Sequence, residues 1–214
     1  MNVGSYMTRN PVVVREDLSL ADARELMKKE KIHRLPVVDA RGHLQGIVTE
    51  KDILYATPSS MTTLDVYEIH SLFARLKISD AMTKDVMSVT PDTHVEDAAR
   101  MMADNNIGGL TVVKDGLVVG IITESDIFKI LMNMFGIREK GYRVTLLLPE
   151  VKGELAELAG GISIAGGNII SFLNVPGDDV TNSLAVMKVR DLTEERIRKI
   201  IEPLAIEIRE IEEV

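Results

Sequence analysis

Hydrophobic positions along the chain change their period several times, and the changes mark out elements. Val12-Val13-Val14 reads as a short extended segment, after which Leu20, Ala23 and Met27 fall on one helical face. Leu35 to Val38 and Leu44 to Val48 are apolar runs of strand length with a Gly turn between them, and a helix opens at Asp52. The same order then returns. Met87-Ser88-Val89 is extended, and Val95, Ala98, Ala99 and Met102 share a helical face. Leu110 to Val113 and Leu117 to Ile122 are strands, and a helix opens at Asp126. Thr93 followed by Glu96 has capping-box spacing and predicts a helix start at that point.

The two stretches are copies. Met7-Thr8 falls on Met82-Thr83 at an offset of 75, and Val14, Asp22-Ala23, Met27, Ile32, Leu35 and Val37-Val38 fall on like residues downstream. One residue is lost in the turn, and the register resumes at 74, with Gly46-Ile47-Val48-Thr49-Glu50-Lys51-Asp52-Ile53 over Gly120-Ile121-Ile122-Thr123-Glu124-Ser125-Asp126-Ile127. Each copy reads β-α-β-β-α. A unit this small buries little alone, so the copies are expected to pack on each other. Thr57-Pro58-Ser59-Ser60 breaks the pattern, and Leu64 to Leu76 predicts a helix between the copies, either a connector or a dimer contact. The expected divisions are residues 1–55, a connecting segment 56–77, and residues 78–134.

Phe135 to Gly141, with two glycines and three charges, reads as a linker (135–141), and a new pattern fills 142–214. Val144 to Leu148 is a strand, and Leu155, Leu158, Ala159 and Ile162 form a helical stripe after Gly153. Strands follow at Asn168 to Val175 and Ser183 to Val189, with Pro176-Gly177-Asp178-Asp179 as the turn. Asp191 and Glu194 have capping-box spacing before a helix carrying Ile197, Ile200, Ile201 and Leu204, and Ile206 and Ile208 open a last alternating strand. The order βαββαβ is that of a ferredoxin-like split βαβ fold. The fold class is therefore mixed α/β and α+β.

Composition narrows the chemistry. Across 214 residues, 25 basic and 33 acidic side chains leave a net charge of −8, which argues against a general nucleic-acid binder. The absence of cysteine removes disulfides, thiolate catalysis and Cys-ligated metals. No apolar run approaches the roughly 20 residues a membrane-spanning helix needs, and no signal-peptide core is visible, so a cytoplasmic protein with no membrane partner is expected. Common nucleotide-binding and hydrolase motifs are missing. Glu50 and Glu124 could serve as bases, but no nucleophile accompanies them, so the chain is expected not to be an enzyme, with no metal or required cofactor.

The repeated Gly-h-h-Thr-x-x-Asp segments admit two readings. Thr49 with Asp52, and Thr123 with Asp126, can cap the helices that follow. They can also present a carboxylate to a ribose diol, with a hydroxyl and helix-start N–H groups toward phosphate or sugar oxygens. The paired blocks Met-Thr … Ile-His-Arg-Leu-Pro-Val-Val-Asp … Gly-Ile-Val-Thr-Glu-Lys-Asp-Ile resemble a tandem pair of CBS domains, a Bateman module, over about residues 1–133. That resemblance implies clefts for an adenosyl ligand: AMP, ADP or ATP first, S-adenosylmethionine or NAD as alternatives. It places Asp52 and Asp126 on ribose, Thr49, Thr123 and Ser125 near sugar or phosphate, and Ile47 and Ile121 on the base. His33 and Arg34 then stand near phosphates, whereas the second copy has Gly108-Gly109, so one nucleotide per chain is expected.

In the last third, Pro-Glu-Val-Lys-Gly-Glu-Leu-Ala-Glu-Leu-Ala before Gly-Gly-Asn-Ile-Ile-Ser is similar to an ACT domain. The displaced Pro149 and Lys152 depart from that family's loop. The resemblance implies an amino-acid or other small-effector site at Gly153, Glu154, Asn168 and Ile169, or a domain that only dimerises. The whole chain thus resembles the acetoin-utilisation-type CBS–ACT proteins. The resemblance implies an allosteric sensor acting as a homo-oligomer, a dimer or tetramer, on an unknown protein target. The alternatives are a ligand-free interaction scaffold and an enzyme acting on nucleotides.

Overall fold

The computed structural model describes residues 1–56 and 75–214, and they form two compact units, Met1–Ile127 and Phe128–Val214. The breaker cluster at Thr57 to Ser60 and the connecting helix expected over 64–76 lie outside the described residues, except for Arg75 and Leu76. In the first unit the elements are β1 (Thr8–Arg9), α1 (Leu20–Glu30), β2 (Arg34–Val38), β3 (Leu44–Thr49), α2 (Glu50–Ala56), β4 (Ser88–Val89), α3 (Val95–Asn105), β5 (Gly109–Lys114) and β6 (Leu117–Thr123). The helix α4 (Glu124–Met134) starts there and runs into the second unit.

The helical stripes bury as their spacing requires: Leu20, Ala23 and Met27 of α1, and Val95, Ala98 and Met102 of α3, while Ala99 is only half-buried. The caps differ from expectation. Ser19 caps α1, its hydroxyl accepting from the Asp22 amide at 3.0 Å. At the equivalent position of α3 stands His94, with no side-chain cap bond. Thr93 is turned back instead, accepting from the Thr90 amide, so that helix starts one residue later than the capping box predicted. Val12 and Val13 are exposed, and only Val14 pairs, through a single bridge to Val37.

A feature invisible in the local pattern organises this unit: each repeat's leading segment docks in the other repeat. Val3 and Met7 pack in the core of the second repeat with Val89, Ala98, Met102, Leu110, Val112 and Ile122. Ile78 and Met82 pack in the core of the first with Leu20, Met27, Leu35, Val37 and Val48. The hydrogen bonds are reciprocal at the repeat offset. The Val3 amide donates to Thr93 O and the Ile78 amide to Leu18 O; the Gly4 amide donates to Pro91 O and the Ser79 amide to Glu16 O. Likewise Thr8 pairs with Ile121, and Thr83 with Ile47. Where the turns meet, the Leu44 amide donates to Gly116 O and the Val118 amide to Gly42 O. These swapped pairs are the signature of an internal two-fold relation. Val3 and Met7 thus lead the first repeat in sequence but pack in the core of the second.

The second unit holds β7 (Tyr142–Pro149), α5 (Glu154–Ile164), β8 (Asn168–Pro176), β9 (Asn182–Arg190), α6 (Glu194–Ile201) and β10 (Glu207–Glu213). Its antiparallel sheet has the order β10-β7-β9-β8, the ferredoxin-like arrangement expected from βαββαβ. Val144, Leu146, Leu148, Ala185, Met187 and Val189 face Leu158, Ile162, Ile197 and Ile201 of the helices. Leu155 and Ala159 are exposed, so the predicted α5 stripe is narrower than its spacing suggested. The α6 cap is Thr193, which accepts from the Arg196 amide, and Asp191 sits at φ 68° ahead of it, two residues before the true start. Ile208 and Ile211 both reach the core because a register shift between Ile208 and Glu210 resets the alternation; Ile206 precedes the strand and is exposed. The segment 135–141 is a docked turn within this unit. Phe135 O accepts from the Ser171 hydroxyl, and Gly136 O accepts from Lys188 Nζ at 3.0 Å.

Candidate functional site

At the end of β3 the chain turns directly into α2, leaving helix-start N–H groups without intrahelical partners. Asp52 Oδ2 accepts from the Thr49 amide at 2.8 Å and from the Thr49 hydroxyl at 2.7 Å. The second repeat repeats this: Asp126 Oδ2 accepts from the Thr123 amide at 3.1 Å and its hydroxyl at 2.7 Å. The capping chemistry is therefore realised in both copies. Both of these bonds fall on Asp52 Oδ2.

Around the first pair lies a cleft of about 620 Å³, and Ile47, Thr49, Asp52, His33 and Arg34 all line it. Glu50 and Lys51 join them, and Thr83, Asp85, Val86, Met87 and the 105–109 turn form the facing wall. The size is ordinary for a small-molecule site. The leading-segment exchange builds this wall, because Thr83 is held against Ile47 by two backbone bonds of 2.9 Å. In the second repeat, Ile121 is buried, Thr123 and Asp126 are half-buried, and Ser125 is exposed on the first turn of α4.

Arg34 is the residue whose environment departs most from its expected setting. It lies on the second repeat's Gly108-Gly109 turn, where a Cβ at Gly109 would overlap Nη1 and a Cβ at Gly108 would come within 2.8 Å of Nη2. Arg34 is half-buried on this turn. Burial lowers the Arg34 pKa from its ordinary value, with the Glu124 carboxylate opposing. The guanidinium stays charged, since arginine titrates far above neutrality. His33 is exposed, and its Nδ1 lies 2.8 Å from Glu50 Oε2, so this carboxylate has a partner of its own.

The four residues that the ACT resemblance implied are not brought together within one copy of the second unit. Gly153, at φ 98°, caps α5, and Glu154 Oε2 accepts from the Val151 amide at 2.8 Å. They follow Pro149, which pairs with Asn182. Asn168 and Ile169 pair with Arg190 and Val189, in line with Tyr142 at the other end of the sheet. Seven strand steps separate the ends, roughly 23 Å at about 3.3 Å per residue. The βαβ order read from the sequence already implies this separation, since the helix after Gly153 carries the chain back to the other end of the sheet before Asn168. Asp178 pairs with Arg209, and Asp179 accepts from Thr181, so this acidic pair is occupied in the turn. Among the described residues no group of three or more His, Asp or Glu could hold a metal, and no helix is long and apolar enough to cross a membrane.

The family model of the CBS domain matches twice, over residues 3–59 and 78–133. The chain belongs to the CBS-domain family and carries a tandem CBS pair. A crystal structure provisionally assigned to acetoin utilization (AcuB), from Vibrio cholerae, is 34% identical with a TM-score of 0.54, covering 64% of this chain and 95% of that one. The CBS pair of protein MJ0100, solved with 5′-methylthioadenosine and S-adenosyl-L-methionine, is 29% identical with a TM-score of 0.52, covering 65% of this chain and 98% of that one. CBSX2 in complex with AMP is 32% identical with a TM-score of 0.51, covering 64% and 98%.

Proposed function

We propose that the chain is a regulatory sensor that binds an adenosyl ligand in the first repeat's cleft. The carrying observation is the convergence of Asp52, Thr49, Ile47 and Arg34 on one cavity of about 620 Å³. Asp52 takes the ribose diol, Thr49 and the α2 start take sugar or phosphate oxygens, and Ile47 lies against the base. Arg34, Lys51 and His33 favour a phosphorylated ligand, so AMP, ADP or ATP ranks ahead of S-adenosylmethionine and NAD. The two solved CBS pairs with adenosyl ligands support the ligand class. The second repeat's Thr123, Ser125, Asp126 and Ile121 form the weaker site, lacking a residue equivalent to Arg34.

The mechanism is a shift between packings of the two repeats. Arg34 lies on Gly108-Gly109 while lining the cleft, and a phosphate that engages the guanidinium changes that contact. Binding thus has a different free energy in the two arrangements, which is what coupling requires. The second unit is read as an ACT domain that passes the change to a protein target or binds a small effector, in a cytoplasmic homo-oligomer without catalysis of its own. A role in acetoin utilization rests on the similarity to the Vibrio cholerae protein alone. A ligand-free scaffold remains the competing reading, favoured by the completeness of both Thr–Asp caps.

Thermal unfolding of the whole chain with AMP, ADP, ATP, S-adenosylmethionine and NAD separates the two. A true ligand at about 100 times its dissociation constant adds about 2.7 kcal/mol. The shift should vanish in Asp52→Ala and persist in Asp126→Ala. No shift with any of the five would leave the scaffold reading.

A further inference from the structure

The sheet of the second unit has a second face, turned away from α5 and α6. One row of paired residues crosses that face in register: Glu212, Arg143, Lys188 and Ser171 on β10, β7, β9 and β8. Above this row the end of α4 and the turn after it enclose a cavity of about 470 Å³, walled by Leu131, Met134, Phe135, Ile137, Leu173 and Val186, among others. Arg143 and Lys188 both line it.

The charges around the row are unevenly shared. Arg143 is paired with Glu212 and Glu210. Lys188 is only 5% exposed, and its Nζ donates to Gly136 O at 3.0 Å. No carboxylate oxygen lies within 4.0 Å of that ammonium among the described residues. Its direct neighbour on β7 is the like-charged Arg143. Like charges opposite one another in a sheet destabilise it, and a buried ammonium with one carbonyl partner has two donors left over. Leaving such a charge uncompensated is costly, and a methionine would fill the same space without that cost. The arrangement is economical if an anion with an apolar body occupies the cavity.

We propose that this cavity binds a small carboxylic acid with an aliphatic or aromatic body, its carboxylate on Lys188 beside Arg143 and its body between Leu131, Phe135 and Val186. This site is separate from the CBS clefts and from Gly153, Glu154, Asn168 and Ile169, and it stands whether or not the first unit binds a nucleotide.

The test is calorimetric titration of the intact chain with octanoate and 3-phenylpropanoate, and with octanamide as the neutral counterpart of the first. At least one carboxylate should bind, and for octanoate the preference over octanamide should be about tenfold or more, equal to about 1.4 kcal/mol. Lys188→Met should reduce carboxylate binding to the amide's level, and Val186→Trp, which fills the cavity, should abolish both, with AMP responses unchanged. Three results would overturn the proposal: no binding of either carboxylate at about 10 mM, equal affinity for octanoate and octanamide, or undiminished carboxylate binding in Lys188→Met. The comparison of octanoate with octanamide uses the unaltered chain, so it decides even if a variant fails to fold.

Discussion

The two CBS repeats share their strands, their Thr–Asp pairs and their exchanged leading segments, yet differ at His33-Arg34 against Gly108-Gly109 and at Ser19 against His94. In a chain folded about an internal two-fold, equivalent positions near the axis face one another, so they cannot both be large. Arg34 occupies the space that side chains at Gly108 and Gly109 would need. The inequality is thus a single complementary contact seen from two sides, and it leaves the cationic group to the first repeat's cleft.

The exchange of leading segments gives the largest test. Ile78 opens the second repeat in sequence but is fully buried in the first repeat's core. Ile78→Ala should cost about 3 kcal/mol, the middle of the range for emptying such a site. The location of the damage matters as much as its size. Amide exchange should accelerate in α1, β2 and β3 before α3, β5 and β6. Faster exchange in the second repeat first would contradict the exchange.

Residues explain why the repeat was legible and the exchange was not. The offset that aligns Met7-Thr8 with Met82-Thr83 extends upstream to Val3 and Ile78, so membership in the repeat was readable. A lone buried Val or Ile has no period, however, and says nothing about which copy it docks in. The strands were readable because both β2–β3 and β5–β6 are short apolar runs around a turn. The cap at Ser19 was missed and the one at Thr93 misplaced because several Ser, Thr and Asp residues stand within three positions of each helix start, and only backbone geometry chooses among them. At the site, the Thr–Asp pairs were visible from spacing. The far wall at Thr83 to Met87 was not, because it arrives through the exchange. In the second unit, Lys188 read as an ordinary polar position on an alternating strand, since its burial depends on a turn 52 residues earlier.

The Arg34 contact can be tested through the two glycines separately. A Cβ at Gly109 would overlap Arg34 Nη1 and also stand 2.9 Å from Ile122 O, a backbone atom that cannot easily yield. At Gly108 the nearest atoms are Arg34 Nη2 and Glu124 Oε2, both at the ends of flexible side chains. Gly109→Ala should therefore cost about 2 kcal/mol in urea unfolding, within the range for overpacking. Gly108→Ala should cost about 0.5 kcal/mol or less, as for a site that can adjust. Adding Arg34→Ala should recover part of the Gly109→Ala loss and leave the remainder due to Ile122. Equal costs at the two glycines would mean that the Ile122 carbonyl adds nothing at Gly109 beyond what the flexible side chains impose at both positions.

The smallest expected difference concerns the helix starts. Ser19 and His94 have nearly the same backbone geometry, φ −69° and ψ 150° against φ −68° and ψ 142°. Only the serine has an oxygen to offer the third amide of its helix. Ser19→Ala should lower stability by about 1 kcal/mol, and His94→Ser should raise it by a similar or smaller amount, about 0.5 to 1 kcal/mol. Both are read from unfolding midpoints at constant denaturant slope. The second substitution decides more, because a gain shows that the α3 cap is a vacancy in an otherwise equivalent structure. A loss would mean that the imidazole itself contributes packing there, beside the backbone bridge of His94 to Asn2 that serine would keep.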